Sequence, residues 1–374
     1  MNDSMNDIKE PLYQKIYNDI VKCIETGEYS IGDRVPSEME LAEKFGVSRI
    51  TSKKALKILE QNGLIERMRG RGSFVKKSKV PNNMHQDSER NIIGLVIPDF
   101  SDSYATEIIK GIEVESSKQD IFIILKRSLG GQDVEEKILD DLLTVGISAC
   151  IIMPVHGEHY NSRILKMVFE GIPTVFVDRY LKGIPAPFVG TDNVAAAKMA
   201  TDYLIKLGHK NISFISPTPI DTSTIVDRME GIVKSHAEHG VAVNEEIWIT
   251  NIKSTVPGNN QKENVLSDIE IIKDTIQKNP QVTCIFADEY NIALLAEEAV
   301  KSLGKNIPDD ISVLCFDAPY NFFGNNFFTH IQQNQFQMGQ IAVRMLMKCI
   351  ENKNYNDKKF LQSNLIIGKS TKEI

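Results

Sequence analysis

Three stretches near the start of the chain space their apolar positions as helices do. In Leu12–Thr26 these positions are 12, 13, 16, 17, 20, 21 and 24, one face of a helix that Gly27 ends. Ser37, with Glu40 three residues on, reads as a capping box that opens a second helix with Leu41, Ala42 and Phe45 inward. Gly46 turns the chain, and Ser48 caps a third helix running to about Gln61, with Ser52, Ala55, Leu56 and Leu59 as its packed stripe. Gly63 stops it. Leu64–Glu66 and Ser73–Lys76 then read as two short strands around Arg69-Gly70-Arg71-Gly72. Capped helices followed by a hairpin are the layout of a winged helix-turn-helix.

From Asn91 the pattern changes. Strand-length apolar runs (92–97, 121–125, 149–153, 173–177) alternate with amphipathic stretches near 104–118, 133–144 and 161–170. After Thr191 the alternation restarts with a helix to about Leu207, strands at 211–215, 247–250, 282–286 and 311–316, and helices near 227–239, 267–278 and 288–303. Near-continuous apolar strands between helices predict parallel sheets buried on both faces. Residues 77–90 are polar and aperiodic and include Pro81, as in a linker.

The 374 residues suit two or three domains. No run approaches the ~18 apolar residues of a membrane span, and the start, MNDSMNDIKEPLYQ, has no apolar leader, so a cytoplasmic protein is expected. Cys23, Cys150, Cys284, Cys315 and Cys349 form no C-x-x-C pair and read as free thiols. The net charge of −7 hides an asymmetry: residues 44–79 hold 11 Lys/Arg against 2 Asp/Glu. A phosphate backbone responds to such local charge.

The third helix carries that charge. Its packed stripe leaves Arg49, Thr51, Lys53, Lys54 and Lys57 on other faces. Arg49 lies in the first turn, where an Arg bidentate to guanine discriminates by ~1–3 kcal/mol. Ser37 and Ser48, at helix starts, are candidate phosphate donors, and the hairpin adds Arg67, Arg69 and Arg71. On PLYQKIYNDI, RVPSEMELAEKFGVSR, the A-L-x-x-L-x-x-x-G-L-I run and G-R-G-S-F-V at 70–75, this region resembles the winged helix of the GntR family of bacterial regulators. The resemblance implies DNA contacts by Arg34, Arg49, Thr51, Lys53 and the wing around Gly70, Arg71 and Gly72. Lys53 departs from the family's usual Arg and loses the planar fork, so charge attraction should outweigh base readout there.

Farther along, the carboxyl ends of the expected strands carry Asp99, Phe100 and Tyr104, then Arg127, His156, Asp178-Arg179, Asp288 and Asp317, with Arg228 at an expected helix start. Planar polar groups with an aromatic surface suit a sugar. His156-Gly157-Glu158-His159 has no further His or Cys nearby, so no metal is expected. No phosphate-binding glycine loop and no nucleophile–base pair is evident; neither a cofactor nor an enzyme is expected. On IGLVIPDFSDSYATEIIKGIE, PTVFVDR, DRMEGI, FADEYNIALLAEEAVKSLG and the VLCFDAP…IQQNQFQMGQIAVRMLM run, residues 91–371 resemble the LacI/GalR effector domain, a type I periplasmic-binding-protein fold. That implies two α/β lobes of parallel sheet closing on a small ligand, with Arg228, Asp288, Asp317 and Gln333 where the family touches effector. Asp288 replaces the common Asn, which changes the charge and allows pairing with an Arg.

The fusion as a whole resembles the arabinose repressor family. The expected organisation is an α+β winged helix at 8–76, a linker at 77–90 and an effector domain at 91–371. Lobe 1 is expected at about 91–190 plus 318–332, and lobe 2 at about 192–316 plus 336–371. The resemblance implies a homodimeric repressor of carbohydrate catabolism genes, bound to palindromic operator DNA and released by a sugar such as L-arabinose. The alternatives are a repressor or activator answering another monosaccharide or a sugar phosphate, and, more distantly, a sugar-binding protein that does not bind DNA.

Overall fold

The computed structural model describes residues 11–61, 63–68, 71–76, 92–100, 103–155, 161–319, 323–324 and 326–374. The chain divides into two compact units, with the break between residues 89 and 90.

The first unit comprises α1 (Leu12–Glu25), β1 (Arg34–Val35), α2 (Glu38–Phe45), α3 (Arg49–Gln61), β2 (Ile65–Met68) and β3 (Gly72–Val75). Its antiparallel sheet has the order β1-β3-β2. The capping box forms: Ser37 N–H donates to Glu40 Oε2 at 2.6 Å, and Glu40 N–H donates to Ser37 Oγ at 3.3 Å. Such a cap contributes about 1 kcal/mol. Gly46 ends α2 in the left-handed region at φ 63°. Ala55, Leu56 and Leu59 pack on Ile16, Ile20 and Leu41, while buried Ser52 donates to the Glu38 carbonyl at 2.6 Å and ties α3 to α2.

The second unit begins with β4 (Ile92–Ile97), α4 (Ser103–Ser117), β5 (Phe122–Arg127), α5 (Gln132–Val145), β6 (Ala149–Ile152), α6 (Ser162–Phe169), β7 (Thr174–Val177) and β8 (Phe188–Thr191). It continues with α7 (Asn193–Lys206), β9 (Ile212–Pro217), α8 (Ser223–Glu238), β10 (Ile249–Ile252), α9 (Lys262–Lys278), β11 (Cys284–Ala287), α10 (Tyr290–Ser302) and β12 (Ser312–Phe316). The last elements are β13 (Thr329–Gln332), α11 (Gln335–Glu351), β14 (Lys358–Leu361) and β15 (Asn364–Ile366).

Two sheets result, ordered β14-β8-β7-β6-β4-β5 in lobe 1 and β10-β9-β11-β12-β13-β15 in lobe 2. Every pairing in them is parallel except β13–β15. Buried apolar clusters line both faces of each sheet. The 121–125 run is less buried than its composition predicts, because β5 is an edge strand and Phe122 is 51% exposed.

The chain crosses between lobes three times, after β8, after β13 and after β14. This corrects the lobe assignment. Segment 329–332 pairs with β12 and belongs to lobe 2, whereas α11 packs on α4 and β14 pairs with β8, both in lobe 1. The lobes thus trade helices: α11 covers lobe 1, and α7 packs on α8 in lobe 2. The α4–α11 crossing depends on Gly111 and Gly339, where any Cβ would collide with the Phe336 or Ile108 carbonyl oxygen. Glu115 of α4 accepts from Arg344 of α11 at 2.8 and 3.2 Å. Arg344, with Lys118 assisting, lowers the Glu115 carboxyl to about 2.

Three boundaries also differ. α8 starts at Ser223 rather than near 227, which places Arg228 in its second turn. α9 starts at Lys262 rather than near 267, and a 3-10 turn at Glu245–Ile247 delays β10. Trp248 follows that turn and packs edge-on against Phe214 at 5.6 Å. Cys150, Cys284, Cys315 and Cys349 are buried free thiols, and Cys23 is half-buried.

Candidate functional site

The helix start in the first unit concentrates the groups expected to face DNA. Ser48 Oγ accepts from Thr51 N–H at 3.3 Å and lies 2.9 Å from Thr51 Oγ1, so the two hydroxyls form one polar edge beside Arg49. Arg49 is 73% exposed, and its Nε reaches Glu38 Oε2 at 3.4 Å. Arg67 of β2 holds the other Glu38 oxygen at 2.5 Å. Burial works against the Glu38 charge, but the two guanidiniums overcome it and keep the carboxyl below its usual range. Glu38 therefore links the start of α2, the start of α3 and the wing.

Lys53 and Lys57 are exposed, while the Lys54 ammonium lies 3.9 Å from the Tyr13 ring centre on α1. Arg34 is exposed at the start of β1 and its side chain lies along Gly72. Arg71 is exposed, and Ser37 is engaged in its cap. Arg69 and Gly70 lie outside the described residues.

In the second unit a cleft of about 480 Å³ opens between the lobes at the carboxyl ends of the strands. Seven of the ten expected effector residues line it: Asp99, Tyr104, Asp178, Arg228, Asp288, Asp317 and Gln333. Phe100 and Arg127 do not. Arg127 instead pairs with Asp99 at 3.0 Å and lies 5.5 Å from the Phe100 ring centre. His156 lies outside the described residues. Asp178 immediately follows β7 and Asp317 immediately follows β12, equivalent places in the two sheets, and both adopt left-handed backbone with φ of 66° and 59°.

One polar chain crosses this floor. Tyr104 donates its hydroxyl to Asp178 and lies 3.4 Å from Gln333 Oε1. Gln333 Nε2 donates to Asp317 Oδ2 at 2.6 Å, and Gln335 Nε2 to Asp317 Oδ1 at 2.7 Å. Burial raises the Asp317 carboxyl to about 7, against the pull of Arg228 and Gln333. Burial, with Asp178 adding to it, pushes the Tyr104 phenol well above its usual range.

Arg228 is the other anchor. Its Nη1 meets Asp288 Oδ1 at 3.0 Å and donates to the Asp288 carbonyl at 2.7 Å, and its Nε donates to Asn193 at 2.9 Å. Its guanidinium stacks 3.7 Å from the Phe316 ring centre. The Arg partner expected for Asp288 is therefore Arg228. Sequence reasoning missed Thr222, Thr224 and Thr255 as cleft-lining residues and Asn193 and Gln335 as supports. A Thr-Ser-Thr run four to six residues ahead of Arg228 was the available signal for the first two. Among the described residues, Thr255 Oγ1 and Arg179 Nε line the cleft as buried polar atoms without a hydrogen-bond partner, Arg179 Nε lying 3.7 Å from Asp178 Oδ2.

Among the described residues no three His, Cys, Asp or Glu side chains are placed to hold a metal, and no helix is long and apolar enough to cross a membrane.

Residues 12–75 match the family model for bacterial regulatory proteins of the gntR family, and residues 201–371 match that for a periplasmic binding protein-like domain. The chain is 28% identical to an arabinose metabolism transcriptional repressor of Geobacillus stearothermophilus, over 97% of this chain and 98% of the relative. It is 26% identical to a repressor of the same description from Halalkalibacterium halodurans, over 94% and 90%. The crystal structure of a transcription regulator from Staphylococcus saprophyticus superposes with a TM-score of 0.65 at 26% identity, covering 75% of this chain and 98% of that one.

Proposed function

From a chain that joins a GntR-family winged helix to a periplasmic-binding-protein-like domain, we propose a non-enzymatic transcriptional repressor of carbohydrate catabolism genes, released from its operator by a neutral sugar such as L-arabinose. The cleft supports the ligand class. Five carboxylates (Asp99, Asp178, Asp288, Glu289 and Asp317) line it, and Arg228 is already paired with Asp288. A phosphate dianion entering there meets repulsion, and the two lining guanidiniums already face carboxylates, Arg228 at Asp288 and Arg179 at Asp178; sugar hydroxyls meet acceptors at Asp178 and Asp317. This arrangement favours a neutral polyol over a sugar phosphate.

Effector binding works by population shift: sugar stabilises the lobes closed on it, and DNA affinity falls by the differential affinity of the two states. The working form is a homodimer whose two winged helices read two-fold-related half-sites, with Arg34, Arg49, Thr51, Lys53 and the wing as DNA contacts. It acts in the cytoplasm, where the operator is. The test is binding to palindromic promoter DNA with a monosaccharide panel. Release by L-arabinose but not by phosphosugars is expected; no DNA binding with or without sugar overturns the reading.

A further inference from the structure

Beside the cleft, and outside its lining, a second set of contacts joins the lobes. Tyr180, just past β7 in lobe 1, reaches α8 of lobe 2. Its hydroxyl donates toward Asp227 Oδ1 and Oδ2 at 3.1 and 3.3 Å, and its backbone N–H donates to Ser223 Oγ at 3.2 Å. The ring itself stays on lobe 1: it meets Phe188 edge-on at 5.1 Å, and the Lys358 ammonium of β14 lies 5.4 Å from its centre. Its anchorage and its reach thus belong to different lobes. Gly130 of lobe 1 and Pro257 of lobe 2 both belong to the cleft lining, and a Cβ at Gly130 would sit 3.7 Å from Pro257.

Asp227 immediately precedes Arg228 on α8. Separating the lobes at this edge therefore breaks three hydrogen-bond distances and moves the helix that carries the cleft's buried guanidinium.

We propose that Tyr180 and Asp227 form an interlobe latch, which sets how much of the sugar-free protein has closed lobes and so how tightly effector binds, without touching effector. Tyr180 is a positioning residue. Because closure is shared between latch and ligand, losing the latch leaves the ligand to supply all of it, and apparent affinity falls by the lost closed fraction. The inference about affinity rests on the sugar-responsive reading; the inference about lobe closure does not.

Two measurements separate them. In a Cys23→Ser background, nitroxides at Lys166→Cys on α6 and Lys278→Cys on α9 report the interlobe distance by double electron–electron resonance without sugar. Tyr180→Phe, which keeps the ring, is expected to move the distribution to longer distances. An unchanged distribution overturns the latch. Titration with L-arabinose is expected to show Kd raised about five- to tenfold by Tyr180→Phe, the scale of one net hydrogen bond. Asp227→Ala is expected to match it, and the double variant to be no worse than either single. Additive losses also overturn the latch. If the parent protein ignores L-arabinose, the effector reading fails, and the sugar-free distances still decide the latch.

Discussion

The two lobes share a topology and differ in chemistry. Each places an aspartate in left-handed backbone at the end of its fourth strand, Asp178 or Asp317, and each packs its first helix against a helix that follows a crossover. In lobe 1 the first helix brings Tyr104 to the cleft. At the corresponding place, two turns before Gly231, where a Cβ would collide with the Val194 carbonyl oxygen of α7, lobe 2 has Thr224, and a turn later Arg228 with Asp288. Lobe 2 therefore carries a fixed ion pair that must stay intact, while lobe 1 contributes a neutral hydroxyl on one carboxylate. The same scaffold yields one half built to hold and another built to close.

This contrast is open to direct tests. The largest effect is expected from Arg228→Ala, which leaves Asp288 charged, buried and unpaired: a stability loss of about 3–5 kcal/mol by denaturant titration, with loss of sugar binding. Tyr104→Phe in lobe 1 is expected to cost only about 1 kcal/mol while weakening sugar binding about tenfold. Equal stability losses would erase the distinction between the lobes.

The next test is pH. Asp317 has a folded carboxyl near 7, raised by burial. Because the raised value penalises the ionised form, Asp317 lowers stability as pH climbs from the usual carboxylate range through 7. Its effect on sugar runs the other way, since the ionised form accepts hydroxyl donors. Affinity should fall roughly tenfold between pH 8 and pH 6, the protonation ratio expected for a group titrating near 7. Calorimetry at both values checks this, and Asp317→Asn should flatten the profile.

The smallest effect concerns the other unit. Lys53→Ala should weaken operator binding uniformly across sequences and reduce the slope of log K against log salt by about one. An unchanged slope would show that Lys53 does not neutralise a phosphate.

What was legible in the sequence was local or periodic. The Ser37–Glu40 box and the stripe at Ser52, Ala55, Leu56 and Leu59 are set within one or two turns, and all formed at the expected positions. Asp178 and Asp317 were found because strand ends follow from apolar runs. The rest depends on partners far apart in the chain. The exchange of α11 and β13 between lobes could not be read from periodicity, since either lobe offers an apolar surface. β14 (KKFL) is a short edge strand with mostly exposed residues and no alternating signal. Arg127 stood in the right register at the end of β5, but Asp99 and Phe100 hold it away from the cleft lining. The Tyr180–Asp227 contact joins residues that only the folded crossover brings together.

The central claim is that a ligand in the cleft controls the winged helix. Fluorescence anisotropy of the full-length protein on labelled palindromic promoter DNA, titrated with L-arabinose at fixed salt, tests it most directly. Tight binding without sugar and release as sugar is added are expected, with Arg228→Ala or Arg228→Lys still binding DNA but no longer released. DNA affinity indifferent to every monosaccharide tried, in a protein shown to bind the operator, would contradict it.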